Sequence, residues 1–469
     1  MQYVNISEIH PAKYNPRKLS EEAFVDLQGS LKDLGFILPV IINKDNMTII
    51  AGHQRTKAST KIGLKSVPCF YVSDVQLQDE MQFNLIHNGV EYEPSVNGVS
   101  NAKLEEGEFY TDIPNDQFEI TESMAAVVKE MCRLILRYGD ALCAIVCDGE
   151  VLFGNNYVFA CQRLDIPVHV YVLPKDKREK YNYYFSKKYG VYSYDAVEKP
   201  DFVQGLAQPP RVHGMEWSVL YRRVWPVLKE DSKDVNILDF GCGKAAFITK
   251  LRVKLNYKNA IGLEFFNHNR VGISVAKGHK MIDDFFKHYE KHGKFDYVIC
   301  DAVINSVVSN EAEMAVMTCL NLFCKPGGKV FFSGRLRKAK ENIINSKRDT
   351  ADGCLLSFIE EDSGLTPNVA QGHWFFQKYL TDEQYKALPE KYGLQPFVSY
   401  TEGSYFGFGC TKIHELDVEQ CRRALAYEFN LPLPNNVRYG RHHEALTIFG
   451  FEDIPDIPSD SNGDSTQGE

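Results

Sequence analysis

The sequence predicts an α/β protein: an α+β module at the N-terminus, then a doubly wound, mostly parallel sheet with helices on both faces. Three observations predict it. Short strand-like and helix-like runs alternate within the first 75 residues around the loop Gly52-His53-Gln54-Arg55. From residue 211 onward, apolar strand-like runs at 236–240, 260–263, 297–300 and 329–333 are separated by helical spacers, the pattern of parallel strands joined by crossovers. The first of those strands ends in Asp239-Phe240-Gly241-Cys242-Gly243, a glycine turn between strand and helix.

Element by element, Asn15-Pro16-Arg17 is a turn, and 21–35 reads as a helix capped by Ser20, with Phe24, Leu27, Leu31 and Leu34 on one face and Gly35 as its stop. Val40-Ile41-Ile42 and 47–51 read as strands joined by Lys44-Asp45-Asn46. A helix opens at the Gly52 loop and ends near Gly63, and 67–72 is a further strand. A weak repeat comes next: Leu152-Phe153-Gly154-Asn155-Asn156-Tyr157, then Ala160 and Ile166-Pro167-Val168, echoes Ile50-Ala51-Gly52-His53-Gln54-Arg55, then Ala58 and Val67-Pro68. The expected organisation is a first module over 1–75, a degenerate second copy over 76–175 that has lost the charged loop, a linker over 176–210, a large sheet domain over 211–450, and an acidic disordered tail over 451–469.

Composition narrows the function classes. Charged residues are 25% and apolar residues 44% of the chain, ordinary globular usage. Every apolar run falls far short of the roughly 20 residues a membrane span needs, and Met1-Gln2-Tyr3-Val4-Asn5 has neither the basic stretch nor the apolar core of a signal peptide. The 12 cysteines are scattered without a CxxC pair, so they read as buried thiols. No metal site and no membrane partner are expected, and a reducing cytoplasm is the expected location. A net charge of −9 excludes a polycation, so contact with nucleic acid would use a local basic surface. Residues 1–70 lean that way, with nine Lys/Arg against six Asp/Glu.

The glycine turn permits positive φ and lets a ligand approach the backbone. Glu264 ends the next strand, about 20 residues on, where a carboxylate holds ribose hydroxyls. Asp283-Asp284 sits after a further helix, placed to meet an adenine amine, and Pro326-Gly327-Gly328 introduces the fifth strand. Over 217–399 this set resembles the class I S-adenosylmethionine-dependent methyltransferases. The resemblance implies that Asp239, Gly241, Gly243 and Glu264 hold the cofactor. A nicotinamide-binding Rossmann unit is the alternative, since Gly241-Cys242-Gly243-Lys244-Ala245-Ala246 also satisfies GxGxxA. Asp239 before the turn and the Pro-Gly-Gly segment favour the methyltransferase.

The acceptor is expected at the loop after the fourth strand, Asp301-Ala302-Val303-Ile304-Asn305-Ser306, which lacks the Pro-Pro-aromatic tetrapeptide of amino-methylating DNA enzymes. Asp301 and Asn305 are the candidates for a related role there. Cys300 as a nucleophile on cytosine C5 is disfavoured, because it lacks a preceding Pro. Segments 301–307, Gly372-His373-Trp374-Phe375-Phe376-Gln377-Lys378-Tyr379 and 428–435 resemble methyltransferases found beside DNA phosphorothioation genes. His373, Trp374 and Phe376 are candidates to stack an extruded base, with aromatic cover of a sheet edge as the alternative. Arg438-Tyr439-Gly440-Arg441-His442-His443 combines charge and rings and is a candidate phosphate contact.

At the N-terminus, the blocks from Ile9 to Arg17, from Leu34 to Val40, Ile49-Ile50-Ala51-Gly52-His53-Gln54-Arg55 and Val67-Pro68 resemble the ParB/sulfiredoxin-like domain over 2–73. The resemblance implies a loop that binds nucleotide phosphates at a helix start, with Gly52, His53, Gln54 and Arg55 in that role and Arg17 as a second contact. Ala51 stands where sulfiredoxins carry Cys, so sulfinic acid reductase activity is not expected. The expected protein is an S-adenosylmethionine-dependent DNA methyltransferase with a ParB-like module that binds a nucleoside triphosphate or DNA, with DNA and a second copy of the chain, as a homodimer, as its partners. The alternatives are a nucleotide or small-molecule methyltransferase gated by a nucleotide sensor, and a non-catalytic partition-like DNA-binding protein.

Overall fold

A computed structural model describes residues 1–87, 98–99, 104–119, 125–185, 191–194, 197, 218–267, 273–344, 359–360, 363–370, 372–433 and 437–451. The chain forms two compact units, Met1–Pro200 with Lys338–Phe376, and Asp201–Arg337 with Gln377–Glu469.

Unit 1 is built on one pattern used twice. The first copy runs β1 (Gln2–Asn5), α1 (Glu21–Leu34), β2 (Val40–Asn43), β3 (Thr48–Ala51), α2 (His53–Lys61) and β4 (Ser66–Val72). After α3 (Leu77–His87) come β5 (Phe109–Ile113), α4 (Ala125–Tyr138), β6 (Ala144–Cys147), β7 (Glu150–Phe153), α5 (Asn155–Leu164) and β8 (Val168–Val172). The pairing is the same in both: β2 lies antiparallel to β3 and parallel to β4, and β6 antiparallel to β7 and parallel to β8. β1 and β5 add antiparallel to β4 and β8. The repeat read from a few residues is thus a repeat of the whole β-α-β-β-α-β order.

Local chemistry accounts for the elements. Ser20 caps α1 by accepting from Ala23 N (3.2 Å), and Gly35 stops it at φ 77°. The boundary expected at residue 75 does not divide compact bodies. Leu34, Ile41 and Phe70 of the first copy share one apolar core with Leu134, Ile145 and Val158 of the second, and the Phe70 ring stacks on His169 (4.9 Å). Between the copies α3 is buried along nearly its whole length, with its carboxylate Asp79 bound to Arg133 (2.7 Å). The expected linker over 176–210 begins as a helix, α6 (Arg178–Phe185), fastened to α1 by Tyr184 Oη and Lys180 Nζ on Asp33 (2.9 and 3.1 Å). Most of the remaining linker and the tail over 452–469 lie outside the described residues.

Unit 1 also takes residues 338–376, which sequence reading assigned to the sheet domain. Their strands Leu365–Ala370 and His373–Lys378 form a two-stranded sheet, and Gln82 Nε2 on α3 donates to Val369 O (3.3 Å).

Unit 2 runs α7 (Val219–Leu228), β9 (Ile237–Phe240), α8 (Ala246–Val253), β10 (Ala260–Leu263), α9 (Val275–His292), β11 (Phe295–Cys300), α10 (Asn310–Phe323) and β12 (Cys324–Arg335). After the excursion come α11 (Asp382–Lys391), β13 (Leu394–Glu402), β14 (Tyr405–Lys412), α12 (Val418–Glu428) and α13 (His442–Ile448). The sheet order is β10-β9-β11-β12-β14-β13, parallel through β12 and antiparallel beyond it. α7 and α8 pack one face through Leu220, Val224, Phe247 and Leu251. The other carries an aromatic cluster in which Phe285 meets Phe323, Phe429 and Phe449. Among the described residues no helix is long and apolar enough to cross a membrane, and the cysteines are free thiols, all buried except the half-buried Cys132.

Candidate functional site

In unit 2 the chain leaves β9 outward to β10 and returns past β9 to β11, so strand order reverses between β9 and β11. A crevice outside the carboxyl ends of strands at such a switch point is where open α/β sheets bind ligands. The turn after β9 carries φ of 74° at Gly241, 59° at Gly243 and 53° at Ala245. The two glycines serve different ends. A Cβ on Gly241 would strike the Val303 side chain from the loop after β11, so Gly241 lets the two loops close on each other; sequence reading had given it to the cofactor. A Cβ on Gly243 would meet nothing within 4 Å, so its backbone borders open space.

Glu264, just past β10, reaches across to this turn. Its Oε2 accepts from Gly243 N (2.8 Å) and its Oε1 from Phe266 N (2.9 Å). Asp239 is fully buried and accepts from Tyr221 Oη (3.0 Å), whose ring stacks on Phe247 (4.1 Å). Asn267, which no local motif marks, donates to Gly243 O (3.2 Å). Asp239, Gly241, Gly243 and Glu264 therefore meet at one turn. Asp283 and Asp284 do not join them. Both lie inside α9, where Asp283 binds Arg441 (2.7 Å) and Asp284 binds Lys280 (2.8 Å) one helical turn away. Residues 275–292 form one long helix, so the acids lie within it and not after it.

At the carboxyl end of β11, Asp301 Oδ1 accepts from Ser333 Oγ (2.7 Å), and that oxygen accepts from Ala302 N (2.8 Å). Ala302 takes φ 57°, a left-handed conformation that non-glycine residues adopt at a cost and that clusters at functional sites. Asn305 lies just beyond in a single 3-10 turn, 2% exposed, and its Oδ1 has no hydrogen-bond partner among the described residues. A buried amide oxygen without a donor costs about 1–3 kcal/mol. The Tyr400 hydroxyl is likewise buried and unpartnered; burial first, and the charge of Asp301 second, hold it protonated. Tyr400 comes from β13, 99 residues beyond Asp301 in the chain, and nothing in its neighbours announces it.

In unit 1, Gly52 opens α2 at φ 100°. The half-buried Arg55 donates from Nη1 to Leu38 O and lies 2.6 Å by Nη2 from His87 Nε2. It has no carboxylate partner among the described residues, and burial first, then the charge of Arg17, push its guanidinium down to about 10. Arg55 thus stands near a second cation, Arg17, in the first turn of α2. His53 and Gln54 have other work. His53 Nε2 accepts from Ala12 N (3.1 Å), and Gln54 Nε2 donates to Arg17 O (2.8 Å), so both fasten the 12–17 loop over the turn. Burial first, and the Arg55 charge second, push the His53 imidazole down to about 4, which keeps it neutral.

Comparison with known proteins agrees with both halves. A ParB N-terminal domain matches residues 1–89, and a methyltransferase domain matches residues 213–395. The chain is a ParB-like domain joined to a methyltransferase domain. The ParB-like domain is 35% identical over 80 residues to the ParB-like nuclease domain-containing protein YnaK of Escherichia coli, covering 17% of this chain and 88% of that protein. It is 36% identical over 89 residues to the probable chromosome-partitioning protein ParB of Vibrio cholerae, covering 18% and 30% of the two chains. With the chromosome-partitioning protein ParB of Myxococcus xanthus it shares 32% over 161 residues, covering 32% and 51%. The chain thus spans 30% and 51% of the length of those two partitioning proteins. Among solved structures, an S-adenosylmethionine-dependent methyltransferase from Clostridium acetobutylicum is 12% identical with a TM-score of 0.29, covering 43% of this chain and 92% of that one.

Two expectations for the methyltransferase domain fail on burial. Trp374 and Phe376 are 1% and 0% exposed, and both rings pack on Tyr194 (6.4 and 5.2 Å) inside unit 1. They form core and present no face to a base. The side chain of His373 lies outside the described residues. In the basic loop 438–443, Tyr439 is buried with its hydroxyl on Phe265 O and Arg441 pairs with Asp283 and Glu444, while Arg438 and His443 are exposed.

Proposed function

We propose that this chain is an S-adenosylmethionine-dependent methyltransferase that modifies DNA bases, with a ParB-like domain that takes the phosphates of a nucleoside triphosphate or of DNA. The observation that carries the first part is the turn at the switch point, where Gly243 borders open space within reach of Glu264. S-adenosylmethionine fits this donor set. The Glu264 carboxylate suits ribose hydroxyls, and the Gly243 backbone leaves room for a group that a side chain would displace. Bound there, the cofactor supplies an electrophilic methyl group on a sulfonium.

The chain's own part is to present the acceptor. Asn305 Oδ1, buried and without a donor among the described residues, is suited to accept an N–H from an exocyclic amine and so to aim its lone pair. Asp301, fixed by Ser333, is placed to take the proton that the methylated nitrogen sheds. Orientation supplies most of the rate in such a transfer. DNA as the substrate is supported by the ParB-like half and by Arg55, which has no carboxylate partner among the described residues.

Glu264→Ala is expected to weaken S-adenosylmethionine binding by about 1–3 kcal/mol in calorimetry, the cost of losing charged hydrogen bonds. An unchanged dissociation constant refutes the cofactor assignment. Sequencing genomic DNA for modified bases, with and without the active protein, tests the substrate. Modification that persists with Asn305→Ala at full strength would move the acceptor elsewhere, and methylation of free nucleotides alone would support the small-molecule alternative.

A further inference from the structure

Two rows of residues cross the sheet of unit 2 at the carboxyl ends of β11 and β12. In the first, Ser333 of β12 lies opposite Gly407 of β14, and Gly407 opposite Tyr400 of β13. Ser333 Oγ in turn holds Asp301, just past β11 (2.7 Å). In the second row, Arg335 lies opposite Tyr405, and Tyr405 opposite Glu402. Opposed residues share a face of the sheet, and so do residues two apart on one strand. Phe331 packs with Leu220 and Val224 of α7, so Ser333 and Arg335 stand on the α7 face too. Arg335 ends β12, roughly 7 Å farther toward the rim than the serine that anchors Asp301.

Three guanidiniums meet at this rim. Arg222 and Arg223 of α7 are exposed and share Glu402 (2.8 and 3.4 Å), and Arg223 lies over the Tyr400 ring (5.2 Å). Arg335 is half-buried over the Tyr405 ring (4.4 Å) and donates from Nη1 to Ser404 Oγ (3.1 Å). It has no carboxylate partner among the described residues, and its buried Nε has no acceptor among them. One carboxylate among three guanidiniums leaves positive charge in excess here, in a chain whose acids outnumber its bases by 62 to 53.

We infer that this rim, with Arg335 at its centre, binds a phosphate group of the substrate, beside the base presented at Asp301 and Asn305. This rests on the substrate carrying a nucleic-acid base and adds the group that anchors it. The Tyr405 ring and Ser404 fix the plane of the Arg335 guanidinium, and its Nε–Nη2 edge is the one without an acceptor. Such an edge matches two oxygens of one phosphate, a pairing that an ammonium cannot make. The phosphate of a nucleotide lies across the sugar from its base, so the two need separate contacts, and the two rows supply them. Phosphate carries no sequence information: Arg335 positions the strand and leaves base choice to the crevice.

The test is binding of fluorescent duplex DNA to the full chain across a salt series, with calorimetry of deoxyadenosine and deoxycytidine monophosphates against their nucleosides. It compares wild type, Arg335→Gln, Arg335→Lys and a control, Arg252→Gln, exposed on α8 away from the rim. Arg335→Gln should make the plot of log affinity against log salt shallower by about 1 and weaken binding at low salt about tenfold. Arg335→Lys keeps the charge and loses the edge, so its slope should match wild type and its affinity fall between the two. The control should follow wild type, and S-adenosylmethionine affinity and the urea midpoint should be the same in all four. If wild type binds DNA and both Arg335 variants match it in slope and affinity, the rim is not the contact while the DNA reading stands. If wild type binds no duplex but prefers the monophosphates to the nucleosides, and Arg335→Gln removes that preference, the phosphate site holds and its source is a free nucleotide. If wild type binds neither, the nucleic-acid reading falls and the site falls with it.

Discussion

Gly52 and Gly154 hold the same place in the two copies of unit 1, and they open α2 and α5 at nearly the same angle, φ 100° and 99°. Each is pressed against the strand beside it. A Cβ on Gly52 would lie 3.1 Å from Val40 Cγ2, and a Cβ on Gly154 would lie 2.9 Å from both Ala144 Cα and Cβ. Past the glycine the two copies differ completely. The first copy carries Arg55, which has no carboxylate partner among the described residues. The second buries Tyr157, which donates to Asp140 (2.6 Å) and accepts from His169 N (3.0 Å). The lesson is that the glycine belongs to the packing of strand against helix, which both copies need. The residues after it are free to change once the packing is secured.

Three experiments bear on that contrast, the largest effect first. Gly154→Ala forces a side chain into backbone and should cost about 3 kcal/mol of stability. Gly52→Ala meets a side chain that can shift and should cost about 1–2 kcal/mol, chiefly for its left-handed conformation. Urea unfolding measures both, and equal losses would mean that the two turns are not packed differently. Arg55→Ala should leave the urea midpoint near wild type and weaken nucleoside triphosphate binding about 10–100-fold, the worth of charge-assisted bonds. If neither protein binds triphosphate or responds in its affinity for DNA, the first copy is as inert toward phosphate as the second.

The smallest effect is one of slope. The unfolded chain protonates His53 near its ordinary 6.5, whereas burial holds it to about 4 in the fold. Its contribution to stability is therefore complete above 6.5 and is lost as pH falls toward 4, by up to about 1.4 kcal/mol per pH unit. His53→Asn, which installs the second copy's residue, should flatten stability between those limits. Curves that remain parallel would show that His53 titrates normally.

The parts legible in the sequence were those fixed by neighbours along the chain. Asp239, Gly241, Gly243 and the Glu264 that bonds to Gly243 sit on a strand, a turn and the next strand, and the Gly52 turn is as local. The misplaced residues depend on distant ones. Asp283 and Asp284 read as following a helix because the long helix around them was ended too early. Trp374 and Phe376 have the residue types of a stacking platform, and only the distant Tyr194 shows them to be core. Residues 1–75 and 76–175 read as two modules because a shared core leaves no mark on either stretch alone.

The excursion of 338–376 also bears on heredity. The chain departs from the methyltransferase unit after Arg337, completes the ParB-like unit, and resumes at Gln377. A single genetic crossover between the halves would part the ParB-like unit from the strand that bonds Gln82, and would leave Leu365, Val369 and Trp374 in the other product without the surroundings that bury them. Exchange of one half alone needs two further breakpoints, flanking 338 and 376, in the same event. Lineages carrying this architecture are therefore expected to pass both halves on together, and their two family trees should share one branching order.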